Sequence, residues 1–96
     1  MNMETRRAKV LIVDDTPANV TLLTDLLESN GYFTIQATSG PEALDQLNRD
    51  TPDLILLDVR MPKMSGYEVC KQIREQPDTA LLPVIMMTAF DPAQER

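Results

Sequence analysis

The sequence predicts an open, doubly wound α/β sandwich built on a parallel sheet. Two observations carry this. Short apolar runs alternate with helical patterns in the order β-α-β-α-β-α-β, and the runs are continuously apolar rather than alternating with polar residues. A third observation concerns chemistry. The apolar runs stop on acids: Asp14-Asp15 after the first run and Asp58 at the end of the third.

Taken in order, "KVLIV" (Lys9–Val13) is short, β-branched and apolar, as a buried strand requires. "TPANVTLLTDLLESNG" follows as a helix, with Thr16 as its cap, Pro17 in the first turn and Gly31 as a left-handed stop. Leu22, Leu23, Leu26 and Leu27 supply its apolar face. "YFTIQAT" is a second strand, less apolar and so expected at a sheet edge. "SGPEALDQLNRD" opens with Ser39 and Glu42 at capping-box spacing, and Ala43, Leu44 and Leu47 form its stripe. "DLILLD" is the third strand. "MSGYEVCKQIREQ" repeats the capping signal at Ser65 and Glu68, with Tyr67, Val69, Cys70 and Ile73 as packing candidates. "LPVIMMTAF" is the fourth strand, and each crossover is expected to be right-handed.

The 96 residues suffice for one domain, read as a tail at 1–8 and a domain at 9–96. A sheet of this type normally carries another helix and strand, so the domain is expected to be incomplete after the fourth strand. Either its continuation is absent from this sequence or another chain completes the sheet. The net charge of −6 with no histidine argues against nucleic acid binding by this segment. No apolar run approaches the ~18 residues of a membrane span, and "MNMETRRAKV" lacks the apolar region of a secretory signal. A cytoplasmic location is expected. Cys70 is alone, so it forms no internal disulfide and reads as a small packing residue. Met61, Met86 and Met87 likewise read as packing residues, and Tyr67 and Phe90 as core or rim residues.

In a parallel sheet all carboxyl ends lie along one edge, where ligands of open α/β sheets bind. If the first, third and fourth strands are neighbours, Asp14, Asp15, Asp58 and the Thr88 hydroxyl converge there. Carboxylates so crowded repel one another, and protonation or a divalent cation relieves the repulsion. Oxygen ligands without His or Cys select a hard ion, and few carboxylates plus water suit Mg²⁺ better than Ca²⁺.

"VDD" after the first strand, "LLDVRMPKMSG" after the third and "TA" after the fourth together resemble the receiver domain of two-component response regulators, from about Lys9 to Phe90. The resemblance implies a flavodoxin-like receiver fold and a phosphoacceptor role for Asp58, fed by a histidine kinase or histidine phosphotransfer protein. It implies Mg²⁺ held by Asp15 directly, by Asp14 directly or through water, by Asp58 and by the Arg60 backbone carbonyl. Thr88 matches the hydroxyl that moves toward the phosphoryl oxygen, and Ala89 the small residue that leaves the phosphate room. Such a domain catalyses its own phosphorylation and dephosphorylation without being an enzyme on a separate substrate, and it controls an output domain or partner.

The family's lysine at the end of a fifth strand, and the aromatic residue on that strand, have no counterpart in this sequence. Lys63 and Lys71 belong to the region of the third helix. The Arg60 side chain is either a solvated loop cation or a modulator of water access to the acyl phosphate. A haloacid-dehalogenase-type phosphohydrolase also uses an aspartate after an apolar strand, but it wants a second Asp two residues on, where this chain has Arg60. A receiver-like scaffold without phosphotransfer is the other alternative, since an open strand edge invites pairing or swapping with a second copy.

Overall fold

The computed structural model describes residues 7–87. Strands β1 (Lys9–Val13), β2 (Phe33–Ala37), β3 (Leu54–Asp58) and β4 (Val84–Met87) alternate with helices α1 (Pro17–Ser29), α2 (Gly40–Arg49) and α3 (Gly66–Glu75). The strands form one parallel sheet in the order β2-β1-β3-β4. The chain steps from β1 to β2 on one side and then returns across β1 to β3. The order therefore reverses between β1 and β3, which makes their carboxyl ends the switch point of the sheet.

Right-handed crossovers put α2 and α3 on one face and α1 on the other. Alternation along β1 and β3 sends Leu11, Val13, Ile55 and Leu57 toward α2 and α3. There they join Ala37, Ala43, Met61, Val69 and Ile73 in one buried cluster. Removing each of the Leu, Ile, Val and Met side chains from water contributes about 1.5–3 kcal/mol. Val10 and Ile12 point the other way and are also fully buried. On that face α1 packs on β1 and β2, while Ile85 of β4 stays half exposed among the described residues.

Local signals act largely as expected. The Ser65 hydroxyl accepts from the Glu68 N–H at 3.2 Å, and the Glu68 carboxylate accepts from the Ser65 N–H at 3.0 Å, a complete capping box. Gly31 takes φ +90° just beyond α1, where a side chain would be strained. The connection into β4 is held by Arg74, whose guanidinium donates to the carbonyls of Ala80 and Leu82, and by the buried Thr79 hydroxyl, which donates to the Ile73 carbonyl.

Four expectations need correction. On α1, Leu22 and Leu26 are mostly exposed, while Val20 is buried and Leu23 and Leu27 are half-buried. The sheet takes the stripe that contains Val20, so the Leu22–Leu26 stripe turns outward. Thr16 precedes α1 but makes no side-chain cap; its backbone carbonyl accepts instead from Asn19 and Val20. Ser39 caps α2 through Glu42 N–H, but the Glu42 carboxylate accepts from Thr38 rather than from Ser39, leaving the box half formed. Tyr67 is two-thirds exposed. α3 buries Gly66, Val69 and Ile73, and Tyr67 sits about 100° round the helix from Gly66.

Candidate metal and phosphoryl site

Asp14 directly follows β1, and its N–H donates to the Ala37 carbonyl at 3.1 Å, hooking the strand end to β2. Asp58 is the last residue of β3, paired in register with Met87 of β4. The adjacent Val59 N–H donates to the Met87 carbonyl at 2.9 Å. Strand pairing thus fixes the two aspartates at neighbouring strand ends. Although charged, they are only 4% and 5% exposed. Asp15 is exposed beside them. One carboxylate oxygen from each of the three lies within 4.8 Å of the others.

Each acid is held differently. Asp14 Oδ1 accepts from the Thr16 N–H at 2.9 Å, and Oδ2 accepts from Asn19 Nδ2 at 3.2 Å. Asp58 Oδ1 accepts from the Arg60 N–H at 3.1 Å. Burial, foremost, pushes the Asp58 carboxyl above its ordinary range; the Arg60 hydrogen bond opposes this, and the charges of Asp14 and Asp15 add to the upward push. At 4.8 Å and an effective dielectric of about 20, two unit charges repel by about 3.5 kcal/mol. The ion pairs among the described residues, Lys9 with Asp50 and Arg49 with Asp45, lie outside the cluster. An all-oxygen donor set, converging and without a cationic side-chain partner among the described residues, fits a hard divalent cation.

The loop after Asp58 is shaped to leave the site quickly. Met61 tucks into the core cluster, Lys63 takes φ 71°, and the Gly66 N–H donates to the Val59 carbonyl at 2.9 Å. A Cβ on Gly66 would lie 2.9 Å from Val59 Cα and closer still to the Asp58 carbonyl oxygen. Only glycine lets α3 start this near the strand end.

The structure therefore brings together Asp14, Asp15 and Asp58, with Arg60 touching Asp58 through its backbone N–H. Thr88, Ala89 and Phe90 lie outside the described residues. Sequence reasoning passed over Asn19, because a neutral amide four residues beyond an Asp pair has no signature of its own. A cavity of about 160 Å³ lies at the other end of the helices, between the C-terminal turns of α2 and α3, and is separate from the acids.

Comparison with known proteins gives the same reading. Residues 10–96 match the family described as the response regulator receiver domain. The response regulator PleD of Caulobacter vibrioides is 45% identical over 89 residues, which are 93% of this chain and 20% of PleD. A receiver-protein N-terminal domain from Methanoculleus marisnigri superimposes with a TM-score of 0.84 at 42% identity, covering 90% of this chain and 72% of that one. The response regulator TrrA of Thermotoga maritima, solved with Mg²⁺ and BeF, gives a TM-score of 0.80 at 34% identity, covering 92% of this chain and 75% of that one. The chain spans between a fifth and about two thirds of the length of the curated relatives it matches. With motif order, parallel-sheet topology and acid geometry all agreeing, this chain belongs to the receiver-domain family of two-component response regulators.

Proposed function

We propose that this domain accepts a phosphoryl group on Asp58 from a phosphohistidine of a kinase or phosphotransfer protein, and that phosphorylation switches its conformation. The observation that carries the proposal is the convergence of Asp14, Asp15 and Asp58 within 4.8 Å at the switch point of the sheet. The TrrA complex with Mg²⁺ and BeF supports the same use of such a site.

Asp58 Oδ1 is engaged by the Arg60 N–H, which leaves Oδ2 as the attacking oxygen. Its lone pair forms the new O–P bond while the donor P–N bond breaks, and that electron pair returns to the imidazole nitrogen. Asp14 and Asp15 are the residues to hold Mg²⁺, with Asp58 and the Arg60 carbonyl completing the protein's share. When bound, the cation neutralises the acids and the phosphoryl oxygens. Thr88 and Ala89 are proposed to engage and to accommodate the phosphoryl group. Water attack on phosphorus later releases inorganic phosphate and restores the Asp58 carboxylate. The domain acts on itself, and in the full-length protein it governs an output domain or partner.

The test uses the full-length protein with Mg²⁺ and a small acyl phosphate donor, read by intact mass. A phosphate-sized gain in wild type and none in Asp58→Asn is expected. Labelling that survives the substitution moves the role to another residue. No labelling of wild type favours the scaffold reading instead.

A further inference from the structure

We infer that Asn19 is a positioning residue for the acidic site, fixing the orientation of the Asp14 carboxylate that faces the cation; this rests on the proposed function above. Asp14 is nearly buried, and its two oxygens are engaged by different parts of the chain. The Thr16 N–H is a local contact, two residues along. On its own it leaves rotation about Cβ–Cγ broad, because the terminal torsion of an aspartate has no sharp staggered wells. The Asn19 amide supplies a second anchor from the first turn of α1, five residues along. Two donors on two oxygens define the plane of the carboxylate.

An ionised carboxylate offers about four lone-pair sites. Thr16 and Asn19 take one on each oxygen, so each keeps one for a cation or a cation-bound water. The residue type matters too. A lysine or arginine at position 19 would neutralise Asp14 and compete with the ion, and an aspartate would add a fourth negative charge to three that already repel. A neutral amide orients the acid without altering the charge of the site. Asn19 is itself exposed, so its side chain carries little of the packing of α1. Loss of a hydrogen-bonding partner behind a metal ligand typically costs about 10–100-fold in metal affinity, and an exposed partner belongs at the lower end.

The test is a calorimetric Mg²⁺ titration of full-length wild type, Asn19→Leu and Asn19→Gln, with thermal unfolding in chelator and acyl phosphate labelling of wild type alongside. Asn19→Leu keeps the side-chain size and removes the donor; Asn19→Gln keeps the donor on one more methylene. Expected are about tenfold weaker Mg²⁺ binding for Leu, recovery to within about threefold for Gln, and an unchanged unfolding midpoint, since leucine is the better helix former. Leu within twofold of wild type overturns the inference, as does Gln as weak as Leu. A fall of more than ~5 °C in the Leu midpoint also overturns it, marking Asn19 as a stability residue. In those cases wild type still binds Mg²⁺ and labels. If wild type does neither, the phosphoacceptor reading fails, and the role of Asn19 with it.

Discussion

Replacing Gly66 with alanine adds one methyl group directly against the strand end that presents Asp58. The new Cβ would lie 2.9 Å from Val59 Cα and 3.0 Å from the Asp58 carbonyl carbon, where ordinary contact begins at 3.4 Å. Both neighbours are backbone, so no side chain can swing aside. Either α3 moves out or the end of β3 moves, by about half an ångström or more. Overpacking of this kind costs about 1–3 kcal/mol. The better helix propensity of alanine returns at most about 1 kcal/mol. A net loss of about 1–2 kcal/mol is expected in denaturant unfolding. Chemistry should suffer more than stability. A misplacement of about 1 Å costs on the order of 10²-fold in rate, so acyl phosphate labelling of Gly66→Ala should slow by about 10–100-fold in protein that circular dichroism shows to be folded. Labelling within twofold of wild type would refute the claim that this close approach sets the position of Asp58.

Two further outcomes follow from the same geometry. Because burial raises the Asp58 pKa in the fold, the folded state holds that proton more tightly than the unfolded chain. The stability this group contributes is therefore present below its unfolded pKa and is lost as pH rises through the folded value. In chelator, wild type and Asp58→Asn should unfold alike near pH ~3.5 and diverge toward neutrality with the Asn variant more stable; urea unfolding across that range checks the sign, and Mg²⁺ should narrow the gap. Lys63 holds φ 71°, which costs a non-glycine residue about 1–2 kcal/mol. Lys63→Gly, after the entropy it adds to the unfolded chain, should stabilise by about 0.5–1 kcal/mol in the same assay.

The sheet was legible because "KVLIV" and "LILLD" are nearly continuous apolar runs that no amphipathic helix would carry, the first leading directly into Asp14-Asp15 and the second ending on Asp58. Parallel strands then force those acids to one edge, so Asp14, Asp15 and Asp58 could be grouped without coordinates. Helix orientation was less legible. α1 offers two leucine stripes, Leu22–Leu26 and Leu23–Leu27, one helical step apart. Periodicity cannot choose between them, and the choice is made by Val20 against the sheet. Tyr67 was misjudged for a related reason: an aromatic residue in the first turn of α3 looks like an anchor, but the stripe runs through Gly66, Val69 and Ile73. The amide of Asn19 and the backbone donors of Thr16 and Arg60 act through geometry that composition does not encode.

The carboxylate at the end of β3 is proposed to become an acyl phosphate, a mixed carboxylic–phosphoric anhydride, and the most direct measurement locates that bond. Borohydride reduces an acyl phosphate of aspartate to homoserine, so the labelled full-length protein can be trapped, digested and sequenced by mass spectrometry. Homoserine at position 58, and only after incubation with donor and Mg²⁺, is the predicted result. Homoserine at 14 or 15, or phosphate that resists borohydride because it sits on a hydroxyl, would contradict the account.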